Sequence, residues 1–126
     1  MILTVVEDLI FLSKIQQTAQ AFGVEIETTE PRQVADRVGR GSVGALIIDL
    51  NHRSGAAVEV IRALKANPLT QPIRVVGFLS HVQADLATAA REAGCDQVMA
   101  RSAFTQQLPQ LLQKLAGKQA APASQA

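Results

Sequence analysis

The 126-residue chain contains no tryptophan and no tyrosine, only four phenylalanines and a single cysteine. So few rings remove the stacking platforms on which single-stranded nucleic acid is usually held. The lone thiol, Cys95, has no partner for an internal disulfide, and the expectation is a small buried hydrophobe in a reducing interior. Neither charge sign dominates: 12 Lys and Arg stand against 11 Asp and Glu, for a formal charge of +1. The charges are spread along the chain, which leaves no basic stripe for a nucleic acid. No apolar stretch is long enough to span a bilayer, and the start lacks a basic region followed by a secretory apolar core. These absences predict a cytoplasmic protein that touches neither nucleic acid nor membrane directly.

What is present is 48% hydrophobic residues in a strand-helix pattern repeated five times, enough for one domain with a full core. Residues 2–6 are continuous and β-branched or aliphatic, as expected of a strand buried on both faces. Leu12, Ile15, Ala19 and Phe22 then recur at helical spacing up to Gly23. Residues 24–28 alternate apolar and polar, which predicts an edge strand. Thr29 is placed to cap a second helix with Pro31 in its first turn and Val34, Ala35 and Val38 inward. The cluster Gly39-Arg40-Gly41-Ser42-Val43-Gly44 lacks the Lys-Ser/Thr ending of a phosphate loop and reads as a turn. Ala45-Leu46-Ile47-Ile48 is a third strand, and Val58, Ile61 and Leu64 mark a helix that should stop near Asn67-Pro68. Residues 73–79 form a fourth strand, followed by a helix with Val82, Leu86, Ala89, Ala90 and Ala93 on its face. Residues 96–100 read as a fifth strand. A last helix carries Leu108, Leu111, Leu112 and Leu115, with Pro109 in its first turn. Residues 1–116 are thus expected to form the domain and 117–126 a mobile tail. Five such units predict an α/β fold with right-handed crossovers and helices on both faces of a doubly wound parallel sheet.

Three acids close two of the apolar runs: Glu7 and Asp8 follow the first strand, and Asp49 ends the third. In sheets of this kind ligands bind at the carboxyl ends of the strands, where the winding reverses. If the two strands are neighbours, three carboxylates share a crevice, and their repulsion is relieved by a divalent cation such as Mg²⁺. The other reading has Glu7 and Asp8 capping the first helix electrostatically and Asp49 as a turn acid. His52 and His81 have no paired ligand spacing and are expected in solvent-exposed loops. Arg53 is either a solvated loop side chain or a cation that neutralises Asp49.

At this point the residues resemble a response-regulator receiver domain, the phosphoacceptor module of two-component signalling. Val5-Val6-Glu7-Asp8 resembles the acidic pair after the first strand, and Leu46-Ile47-Ile48-Asp49-Leu50 the segment ending in the phosphorylated aspartate. Residues 58–65 resemble the third helix, and Glu92-Ala93-Gly94-Cys95-Asp96 the turn into the fifth strand. The resemblance implies a flavodoxin-like (βα)5 sheet of strand order 2-1-3-4-5 and a signalling module in a phosphorelay rather than an enzyme. It implies Asp49 as phosphoacceptor, with Mg²⁺ held by Glu7, Asp8, Asp49 and the backbone carbonyl of Asn51. Upstream it implies a histidine kinase or phosphotransfer protein, and downstream a protein target. Monomer or weak homodimer is the expected state, any self-association running through the fourth helix and the fifth strand and helix.

Several family positions are altered. The hydroxyl residue ending the fourth strand falls on Gly77 or Leu79 by two different counts, with Ser80 adjacent. The Lys ending the fifth strand falls on Arg101, followed by Ser102 where Pro is usual, and an Arg fork is not equivalent to an ammonium. The aromatic of the fifth strand is Val98. His52-Arg53 replaces the Met-Pro after Asp49, and the nearby glycine is Gly55, with Ala57 where it is often found. Two alternatives to a working receiver follow: a pseudo-receiver that docks a partner independently of phosphorylation, and a flavodoxin-like binder of a nucleotide or flavin. The acid-rich crevice and the scarcity of rings weigh against the last.

Overall fold

The structure is a computed structural model and describes residues 1–80 and 83–117. All five strands pair in parallel, through four ladders, giving one sheet of order β2-β1-β3-β4-β5. These strands are β1 (Ile2–Val5), β2 (Ile26–Thr28), β3 (Ala45–Asp49), β4 (Arg74–Leu79) and β5 (Gln97–Ala100). In the register Val5 lies opposite Ile48, and Asp49 opposite Phe78. β1 and β3 are therefore neighbours, and the acids after them meet at one edge.

The continuous apolar runs are explained by two cores, one on each face of the sheet. Alternate strand residues Ile2, Ala45, Ile47, Val76, Phe78 and Met99 pack under α1 (Leu9–Ala21), α5 (Arg101–Gln106) and α6 (Leu108–Leu115). The intervening residues Leu3, Val5, Leu46, Ile48 and Val75 pack under α2 (Val34–Gly39), α3 (Ala57–Ala66) and α4 (Ala84–Glu92). Every residue of β1 and β3 is buried. A strand with no wet face needs no alternation, which is why these two read as continuous aliphatic runs.

Several boundaries and faces differ from expectation. Thr29 does not cap a helix: a 3₁₀ turn, Pro31–Gln33, precedes α2, and no side chain caps either element. Ala35 is exposed while Val34 and Val38 are buried. Phe22 follows α1 and is 43% exposed, whereas Phe11, one turn from the start, is buried in its place. α4 buries Ala87 and Ala90, with Leu86 and Ala89 only partly covered. The expected Val82 contact lies outside the described residues, as do residues 118–126 of the expected tail. An additional helix, α5, starts immediately after β5 and separates it from α6. Pro109 has no N–H to offer the carbonyl of Thr105, so the two helices break at Gln107.

At the end of the sheet away from the acids, Asp96 fixes the register between β4 and β5. Its Oδ2 accepts the Val75 N–H at 2.8 Å and a Lys65 ammonium hydrogen at 2.9 Å. Lys65 also donates to the carbonyls of Gln71 and Ile73. Asp96→Ala would leave the Val75 amide and a largely buried ammonium short of an acceptor. We expect it to lower stability by about 2 kcal/mol, seen as a shifted urea midpoint at unchanged slope.

Candidate functional site

Asp49 ends the central strand and is only 7% exposed, one of two buried polar side chains among the described residues. Its Oδ1 accepts the Asn51 N–H at 2.8 Å. Burial is the main influence on this carboxyl and raises its pKa, with the Asn51 amide and nearby His52 and Arg101 opposing and Glu7 reinforcing the rise.

Asp8 opens α1. Its Oδ1 accepts the N–H groups of Ile10 and Phe11 at 3.0 and 3.1 Å, the arrangement of a helix N-cap. Its Oδ2 is held by Nη2 of Arg101 at 2.9 Å. That hydrogen bond, more than the cap, brings the Asp8 pKa below the ordinary carboxyl value. Glu7 is clamped from the β3-α3 loop, taking the Arg53 N–H at 2.7 Å and its Nε at 2.9 Å. Arg53 thus neutralises Glu7 rather than Asp49. It stays 88% exposed, so this pair alone contributes little to stability.

Arg101, the first residue of α5, reaches across the carboxyl edge. Besides Asp8 it contacts Ser80 Oγ at 3.4 Å, and its guanidinium carbon lies 3.9 Å above the Phe11 ring centroid. Ser80 follows β4 directly, and its N–H donates to Asn51 Oδ1 at 2.7 Å. Glu7, Asp8, Asp49, Asn51, Arg53, Ser80 and Arg101 line one cavity of about 490 Å³. The six residues singled out from sequence, Asn51 for its backbone carbonyl and the others for their side chains, therefore line one cavity, and Arg53 joins them. At the end of β4, Ser80 reaches this cavity while Gly77 and Leu79 do not line it. Gly77 instead faces Leu50, whose side chain stands 2.9 Å from where a Cβ would sit.

His52 is not a free surface ring. It is partly buried, and its Nδ1 lies 2.9 Å from Ser54 Oγ and accepts the Ser54 N–H at 3.2 Å. His81 lies outside the described residues. Two contributors were missed from sequence: Phe11, which supports Arg101, and Gln83, whose Oε1 accepts from Asn51 Nδ2. Phe11 sits one turn into a helix and carried no signal beyond helical spacing.

The candidate ligands lining the cavity, from Glu7, Asp8, Asp49 and Asn51, are oxygens, the chemistry that suits Mg²⁺, so the residues fit the ion in kind. Among the described residues, however, no group of three or more His, Cys, Asp or Glu side chains stands close enough to hold an ion. Two of the three acids are turned to arginines, and an ion would have to take them over.

The two acids have opposite pH signatures. Asp49, with its pKa raised by burial, contributes stability below the ordinary Asp value of 3.8 and loses it as pH rises through the folded-state value. Asp49→Asn should therefore melt higher than the parent at pH 7, the difference vanishing as pH approaches 3.8. Asp8, with a lowered pKa, behaves oppositely: its contribution is present above 3.8 and is lost as pH falls through the folded-state value. Asp8→Asn should accordingly lower the melting temperature at pH 7. Thermal melts of both variants across this range check the two signs.

No protein-family model and no curated protein matches the sequence. Solved structures do match. A response regulator from Hahella chejuensis superposes with a TM-score of 0.80 at 16% identity, covering 90% of this chain and 92% of that one. The chemotaxis response regulator CheY4 of Vibrio cholerae gives 0.77 at 16%, covering 90% and 96%. The Mn²⁺-bound form of response regulator Rcp1 gives 0.76 at 15%, covering 91% and 93%. With the strand order, the two-faced core and the acid-lined carboxyl edge, these matches establish that the chain has the flavodoxin-like fold of a response-regulator receiver domain.

Proposed function

We propose that this chain is a receiver-like signalling module in which Asp49 accepts a phosphoryl group and the result is read by another protein. The observation that supports this most is the placement of Asp49: a desolvated carboxylate at the end of the central strand, in one cavity with two further acids, a hydroxyl and a guanidinium. In the transfer, an Asp49 oxygen forms a bond to phosphorus as the bond to the donor breaks, and the donor leaves with the electron pair. Mg²⁺, held by Asp8, Asp49 and the Asn51 carbonyl with Glu7 nearby, would supply charge neutralisation on the phosphoryl oxygens. Arg101 would supply a positive charge and guanidinium donors at the same edge, and Ser80 Oγ a further donor. A histidine kinase or phosphotransfer protein is the upstream partner under this reading, and the downstream target is a protein.

A second reading has its own support. Glu7 and Asp8 are each already paired with an arginine of the same chain, as expected of a pseudo-receiver whose acid edge is neutral without metal and which docks a partner unphosphorylated.

Acetyl phosphate separates the two. With Mg²⁺ present, intact-mass measurement should show one phosphoryl adduct, absent from Asp49→Asn and absent after chelation of the metal. Arg101→Ala should slow its formation about a hundredfold. An unmodified mass under saturating acetyl phosphate and Mg²⁺ would instead establish the pseudo-receiver.

A further inference from the structure

Val98 stands in β5 where the resemblance to receivers would place an aromatic residue. The rings of this chain lie elsewhere. Phe11, Phe78 and Phe104 form a mutual cluster with centroids 5.0 to 5.8 Å apart. Phe78 is the sheet partner of Asp49, Phe104 belongs to the helix that Arg101 opens, and Phe11 belongs to the helix that Asp8 caps. α1, β4 and α5, which flank the acid edge, thus each send one ring into the same cluster.

Arg101 joins the acids to these rings. Among the described residues it alone contacts Asp8, Ser80 and the Phe11 face. A cation over a ring face is held by the ring quadrupole, more strongly where it is partly desolvated, and the Arg101 side chain is 33% exposed. Of the three hydrogen bonds to the Asp8 carboxylate, the two at Oδ1 belong to the helix cap, so Oδ2 is the oxygen open to exchange. A divalent ion and a guanidinium cannot both take it at full strength, because like charges brought together in a half-buried site repel.

We propose that Arg101 is the resident cation of the metal-free site, and that a divalent ion enters by displacing its guanidinium from Asp8, which moves the charge off the Phe11 ring. The inference rests on the metal-binding reading of the site given above. Displacement frees the fork next to Ser80 Oγ, already 3.4 Å away, where an incoming phosphoryl group is to be bound. Metal occupancy is thereby communicated to the contact between α1 and α5, with no ring needed in β5. Lys, with a single compact ammonium and no planar face to stack, would not couple the two events in this way.

The chain's lack of other aromatics makes the test clean. In a spectrum of protein labelled at phenylalanine only four rings appear, and Phe22, exposed at the far end of α1, is an internal reference. Mg²⁺ titration of the full chain should shift the Phe11 ring signals in step with saturation while Phe22 stays in place. Arg101→Met should bind Mg²⁺ roughly tenfold more tightly, since the competing charge is gone, and should lose the Phe11 response; its amide spectrum verifies folding. Arg101→Lys should retain near-parental Mg²⁺ affinity with a diminished Phe11 response. Mg²⁺ binding that is unaltered by Arg101→Met, or that saturates with no change at Phe11, overturns the displacement while leaving the metal site intact. Absence of Mg²⁺ binding in parent and in Arg101→Met alike overturns the metal-site reading itself.

Discussion

The structure turns on how negative charge is met where β1 and β3 end side by side. Parallel pairing of these two buried strands brings Glu7, Asp8 and Asp49 to one edge. Nothing in the strands themselves can neutralise them, since every residue of β1 and β3 is otherwise buried apolar surface or, at Thr4, a hydroxyl bonded within the sheet. The compensation therefore comes from loops and helix starts: the α1 N-terminus for Asp8, Arg53 for Glu7, the Asn51 amide for Asp49, and Arg101 across the whole edge. Asp49 receives the least of it and is the most desolvated. Its raised pKa follows from that unequal distribution.

The two readings of the acids weighed from sequence turn out not to exclude each other. Asp8 is a helix cap through one oxygen and an ion-pair partner through the other. Asp49 forms a local turn bond to Asn51 and also faces the cavity. A carboxylate has four lone-pair sites on two oxygens, so a structural duty leaves acceptor capacity for a ligand. Asn51 shows the same economy, linking the acid loop to the loop after β4 through its side chain while its amide serves Asp49.

The architecture was legible because fully buried parallel strands announce themselves as continuous aliphatic runs, and Gly23 and Gly94 close helices in the left-handed region where glycine is favoured. Legibility faded where a residue's fate depends on a neighbour distant in sequence. Phe22 fits the helical period of α1 as well as Phe11 does, yet the sheet and α5 lie over only one of them. Thr29 is a good cap by type, but the chain leaves β2 through a 3₁₀ turn governed by Pro31. The start of α5 was hidden because Arg101 to Gln106 buries a single residue, Phe104, too little to set a period.

At the site the division is similar. The types and places of Glu7, Asp8, Asp49, Asn51 and Arg101 follow from position along the strand-helix repeat, because the carboxyl end of a parallel strand is always at the same edge. Which hydroxyl stands at the end of β4 did not follow: two counts gave Gly77 and Leu79, and only the packed loop brings Ser80 to the cavity. Sequence alone determined that this chain builds a two-sided parallel sheet with acids at its carboxyl edge, since hydrophobic pattern and chain order suffice for that. The arginine partners of Glu7 and Asp8 were decided by tertiary structure, because Arg53 and Arg101 reach them across 46 and 93 positions of chain, and only folding ranks such encounters by distance in space.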